Sequence, residues 1–87
     1  MYPKRHPAVT LKRDNDVFVL FHRETRDKKK INGIGAVLWI LCDGNHSHED
    51  MVAYIKKMCF DVPETVENEV YSFIQILEKI GFLEVQF

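Results

Sequence analysis

The 87 residues hold one domain, and a chain that is 46% hydrophobic with only four Gly and three Pro is neither disordered nor low in complexity. A domain of this size buries only about 60–65% of its unfolded surface, which leaves little material for a deep catalytic pocket. The net charge of −1 hides a split, with nine Lys/Arg against four acids in residues 1–30 and three Lys against nine acids in residues 31–87, so one end can receive an acidic partner that the other repels.

The opening Met1-Tyr2-Pro3-Lys4-Arg5-His6-Pro7 has no apolar run of the kind a secretory leader needs. Two cysteines cannot build a disulfide scaffold, and the longest apolar stretch, Ile34 to Cys42, falls far short of the roughly 20 residues that span a bilayer. The expectation is a reduced, cytoplasmic protein. Val9 and Leu11 alternate with Thr10 and Lys12, predicting a strand, and Asp14-Asn15-Asp16 supplies a turn. Val17-Phe18-Val19-Leu20-Phe21 reads as a central strand covered on both faces. Residues 23–27 form the next turn, and Lys28-Lys29-Lys30-Ile31 a third strand. Three consecutive lysines suit an edge, where charge discourages unwanted pairing.

After Asn32 the period becomes helical. Asn32 caps a first helix whose expected buried stripe is Ile34, Val37, Leu38 and Leu41, with Trp39 and Ile40 turned against the sheet; Asp43-Gly44 ends it. Ser47 and Asp50 form a capping box opening a second helix, with Met51, Val52, Ile55 and Cys59 inward. Pro63 fits the first turn of a third helix, and Val66, Val70, Phe73, Leu77 and Ile80 make its core stripe up to Gly81. The tail from Leu83 to Phe87 alternates as a short strand or docked extension. The sum is one α+β domain over residues 1–87, winged-helix-like, with a three-stranded antiparallel sheet followed by a three-helix bundle.

The third strand is the natural place for a partner. An extended peptide needs an unpaired row of N–H and C=O groups, which an edge strand offers. Beside it, Glu67, Tyr71, Ile74 and Glu78 follow a flanking stripe of the third helix, with Tyr71 and Ile74 as an exposed apolar floor. The plainer reading makes the lysines a solvated edge and the apolar pair secondary core. The same open edge allows two copies to pair as a homodimer.

Other chemistries fit less well. Cys42, His46, His48 and Cys59 lack the paired spacing of structural zinc sites, and no nucleophile dyad, phosphate loop or nucleotide fingerprint is present; no cofactor, metal or catalytic residue is expected. The principal rival is a winged-helix DNA-binding regulator. Its recognition helix would carry Glu64, Glu67, Glu69 and Glu78 against Lys79, a net −3 that phosphates repel. A structural subunit of a larger complex is the third class, and it would bind no isolated peptide.

Asn32 at the strand-to-helix junction, Cys42-Asp43-Gly44, Ser47-His48-Glu49-Asp50-Met51-Val52, the spacing of Val66, Val70, Phe73, Ile74 and Leu77, and Gly81-Phe82-Leu83-Glu84 together resemble the PqqD-like family over residues 7–85. These are precursor-peptide recognition elements of ribosomal peptide modification pathways. The resemblance implies a non-catalytic peptide chaperone. It would bind the leader segment of a precursor by strand addition and present it to a modifying enzyme such as a radical SAM maturase or cyclase, without nucleic acid or membrane. Carried onto this chain, the peptide-binding residues are Asp27, Lys28, Lys29, Lys30, Ile31 and Asn32 on the edge and Glu67, Val70, Tyr71, Ile74 and Glu78 on the third helix. Lys12-Arg13 in the first strand departs from the acidic or apolar residues more usual there.

Overall fold

The computed structural model describes residues 2–58, 62 and 64–84. Three antiparallel strands, β2 (Val9–Asp14), β3 (Val17–His22) and β4 (Lys28–Ile31), form a sheet in the order β2-β3-β4. The β2–β3 turn works because Asn15 takes a left-handed backbone (φ 57°), which its short polar side chain tolerates. Three helices follow: α1 (Gly33–Leu41), α2 (His48–Met58) and α3 (Val66–Lys79). The predicted α+β order of sheet then helices is observed.

A pair the sequence did not announce closes the ends together. β1 (Lys4–Arg5) runs antiparallel to β5 (Leu83–Glu84), with Lys4 opposite Glu84 and Arg5 opposite Leu83. Arg5 also donates through its guanidinium to the Trp39 and Ile40 carbonyls. A cation there satisfies orphan acceptors at the negative end of α1. Residues 85–87, the rest of the expected tail strand, lie outside the described residues, as do Cys59 and Pro63.

Local signals set the helix ends. The Asn32 side chain accepts the Gly35 N–H at 2.8 Å, and Ser47 and Asp50 exchange backbone-to-side-chain bonds at 3.0 and 3.1 Å, a complete reciprocal cap. At the end of α3, Gly81 adopts φ 80° and the Phe82 N–H returns to the Leu77 carbonyl at 2.9 Å. Glycine takes that conformation at little cost. The third helix starts at Val66, so Glu64 precedes it.

The core lies between the sheet and the helices: Leu20, Met51, Val70, Ile74, Leu77, Phe82 and Cys42 are all essentially sealed. The helical phases differ from expectation in two places. In α1 the buried residues are Gly35, Ala36, Leu38, Trp39 and Leu41, so Leu38, Leu41 and Trp39 are inward as expected while Ile34 and Ile40 are 47% and 59% exposed. Nearly every residue of this helix is apolar, so hydrophobicity could not fix its rotation, and close contact at Gly35 does. In α3, Ile74 takes the core place expected for Phe73, which is only half-buried. The sheet differs too. Only the Phe18, Leu20, His22 face of β3 is covered by helices, and the Val17, Val19, Phe21 face lies partly open to solvent.

Candidate functional site

β4 forms one rim of the three-stranded sheet. Its register places Ile31 opposite Phe18, Lys30 opposite Val19, Lys29 opposite Leu20 and Lys28 opposite Phe21. Side chains alternate across a strand, so Ile31 and Lys29 share the helix-facing side with Phe18 and Leu20, while Lys28 and Lys30 point to the opposite face. Among the described residues, no backbone hydrogen bond from outside the sheet reaches Lys28–Ile31. Asp27 and Asn32 bracket this rim. The Asp27 carbonyl accepts the His22 N–H at 3.0 Å, and Asn32 is committed to capping α1.

β2 ends the sheet on the other side, yet the two rims are not equivalent. α1 packs on β3 and β4, so β4 has a helix beside its free groups. The junction is tight: a Cβ on Gly35 would come within 3.0 Å of the Ile31 Cβ and 3.4 Å of the Phe73 Cε1. The β4 rim, the first turn of α1 and one side of α3 therefore converge on Gly35. Glu69 and Ile76 lie at i−4 and i+3 from Phe73 and share its side of α3. Ile34 and Ile76, both more than 40% exposed, leave apolar surface beside the free edge.

The helix residues expected to floor this site lie elsewhere. Val70 and Ile74 are 1% and 0% exposed, so neither offers surface to a peptide; Val70 belongs to the core stripe already expected of α3, and Ile74 joins it in place of Phe73. Glu67 and Tyr71 are turned to α2. The Glu67 carboxylate lies 3.5 Å from the Lys56 ammonium, and the Tyr71 ring stacks on His48. Glu78, one heptad from Tyr71, is exposed on that same side. Glu67 and Tyr71 edge a shallow cavity of about 310 Å³ between α2 and α3, with Val52 and Lys56 among its walls. The exposed or half-exposed apolar residues on the Gly35 side are instead Ile34, Phe73 and Ile76, whose side of α3 follows the 4-3 spacing of Glu69, Phe73 and Ile76 that assigning Phe73 to the core had masked.

The reactive side chains do not assemble. Cys42 is fully buried, and burial pushes its thiol up to about 12, with Arg5 pulling back weakly; a protonated, sealed thiol is a poor nucleophile. His46 hydrogen-bonds the Asp43 carboxylate at 2.9 Å, and that bond with the Asn45 N–H holds the carboxyl below its usual range. His48 is occupied by Tyr71. Among the described residues, no three His, Cys, Asp or Glu converge as metal ligands, and no helix is long and apolar enough to cross a membrane.

Residues 18–83 match the family model described as coenzyme PQQ synthesis protein D (PqqD). The chain belongs to the PqqD family. Its matched segment begins in β3 and ends in β5, so it contains β4, all three helices and the junction at Gly35. No curated protein matches. Two solved structures superpose over nearly the full length of this PqqD-family chain. One, described as TbiB1 in complex with the TbiA(beta) leader peptide, is 26% identical, with a TM-score of 0.78 over 97% of this chain and 98% of that one. The other, described as lasso peptide synthetase B1 complexed with the leader peptide, has a TM-score of 0.80 over 98% and 100% of the two chains. At 15% identity it speaks for the fold.

Proposed function

We propose that this PqqD-family chain is a non-catalytic recognition module that binds the leader segment of a ribosomally made precursor peptide and presents it to a modifying enzyme, such as a radical SAM maturase or cyclase. The leader adds as a further antiparallel or parallel strand to the outer rim of β4. Its backbone pairs with Lys28–Ile31, and its side chains rest against Ile34, Phe73 and Ile76. The observation that carries this reading is the free β4 rim with exposed apolar surface beside it, in a chain similar along its length to TbiB1, which was solved with a leader peptide.

Strand addition gives affinity through the main chain and selectivity through alternate side-chain pockets. Lys29 and Glu69 lie on the groove side of their elements and set its charge preference. Holding the leader raises the local concentration of the attached core peptide at the enzyme, so the chain contributes to the reaction without chemistry of its own.

The test is titration of the isotope-labelled chain with the leader of a short precursor encoded in the same gene neighbourhood, followed by amide spectra. Shifts concentrated in residues 27–32, Ile34, Phe73 and Ile76 are expected. Saturation with shifts confined to the α2–α3 cavity, or no binding, overturns the reading.

A further inference from the structure

The open face of the sheet carries a second feature that strand addition at β4 does not use. Val19 on the central strand has Lys12 opposite it on β2 and Lys30 opposite it on β4. Neighbouring strands lie about 4.8 Å apart, so two lysines flank one half-exposed valine across three strands. In the next row Phe21 has Lys28 beside it, the ammonium 6.0 Å from the ring centroid. Arg26 completes the rim of this concavity of about 740 Å³, whose single carboxylate is Asp14.

Arg26 is the telling residue. Its backbone sits at φ 68°, a left-handed conformation that costs an arginine strain, at an exposed turn where glycine or asparagine would be easier. Lys28 and Lys30, two residues apart on one face of β4, likewise repel each other. Four cations, the strained Arg26 among them, collected around Val19 and Phe21 are therefore arranged at some expense to the fold, in a chain whose overall charge is −1.

We infer that this face docks an acidic polypeptide segment bearing an apolar anchor, contributed by the protein that receives the leader. The inference rests on the proposed recognition function, since a module that holds a leader must also meet the enzyme acting on it. The cations meet the partner's carboxylates, and Val19 and Phe21 receive the anchor. A protein suits the face better than a nucleic acid. Lys28 already covers the only ring on the floor, leaving no free stacking platform, and Asp14 repels phosphates. The leader on the β4 rim and the partner on this face occupy different sides of the sheet.

The experiment titrates the full chain with a short capped peptide of glutamates flanking a Leu-Phe pair, and separately with oligothymidylate of matched charge, reading amide shifts. Saturable shifts at Lys12, Val19 and Phe21 are expected from the peptide, weakened about tenfold by the double reversal Lys12→Glu and Lys30→Glu. Arg26→Gly should weaken binding too while leaving the thermal midpoint unchanged or higher, which a merely structural role would not produce. Absence of shifts on this face, indifference to the reversal, tighter binding of oligothymidylate, or concentration-dependent self-association through Val19 and Phe21 overturns the inference. If the acidic peptide fails while leader shifts at Ile31, Ile34 and Ile76 persist, only this inference falls; the converse result removes the strand-addition reading alone.

Discussion

The His48 imidazole and the Tyr71 phenol ring stack with centroids 4.3 Å apart and planes within 13°. That contact ties α3 to α2 and directs Tyr71 away from the β4 rim, which leaves Phe73 and Ile76 to face the free edge. The proposed leader contact thus lies on the side of α3 that does not pack on α2.

The consequence is a separation of effects by side. Tyr71→Ala should lower stability by about 1 kcal/mol, the worth of an aromatic pair, and leave leader affinity unchanged. Ile76→Glu, at a position 43% exposed, should leave stability nearly unchanged and weaken leader binding about tenfold. Chemical denaturation and calorimetric titration of both variants check the pair. Equal losses of affinity would place the groove on both sides of the helix.

The sequence made some of this legible and hid the rest for physical reasons. Local chemistry was readable: Asn32, the Ser47–Asp50 box and Gly81 each do at the helix ends what their types predict, and the lysine run marks a real edge. Helix rotation was not. Periodicity fixes a face only where apolar and polar residues contrast, and α1 lacks that contrast. In α3, Phe73 and Ile74 are adjacent and both large, so pattern alone could not say which one the core would take. The tail strand at Leu83 was readable from its alternation, but its partner β1 was not, because a two-residue strand carries no alternation and lies nearly a chain length away.

Two glycines at the start of α1 should respond with opposite sign. At Gly33 an added Cβ meets nothing within 4 Å, so Gly33→Ala should stabilise by about 0.5 kcal/mol through lost unfolded-state freedom. At Gly35 the same methyl presses on Ile31 and Phe73, and the overpacking, about 1–3 kcal/mol, exceeds the propensity gain. Gly35→Ala should therefore unfold at lower denaturant and weaken leader binding, because it pushes β4 from α3. Paired unfolding curves decide it.

Cys42 gives stability a pH dependence of known sign. Burial raises its folded-state thiol from 9.0 to about 12. Between those values the unfolded chain releases the proton and the folded chain keeps it, so the unfolded state binds fewer protons and stability falls as pH rises. The slope is at most about 1.4 kcal/mol per pH unit above pH 9, with no contribution from this group near pH 7. Denaturant midpoints measured at pH 8 and pH 10 should drop more steeply for the parent chain than for Cys42→Ala. Parallel slopes would mean that the thiol is ionised within the fold.

The most direct test of the rim is a proline placed in turn at residues 28 to 31. In an antiparallel ladder alternate residues direct their N–H toward the neighbouring strand and away from it. Where the N–H faces β3, proline removes a sheet hydrogen bond and should cost stability first. At positions whose N–H faces outward, proline is tolerated by an edge strand, so the fold should persist while leader binding is lost. The expected result is an alternation, with Lys28 and Lys30 behaving as one pair and Lys29 and Ile31 as the other. Stability and affinity measured on all four variants would display it directly. If affinity survives at every position where the fold survives, the leader does not enter the sheet, and the apolar surface of Ile34, Phe73 and Ile76 must hold it by side chains alone.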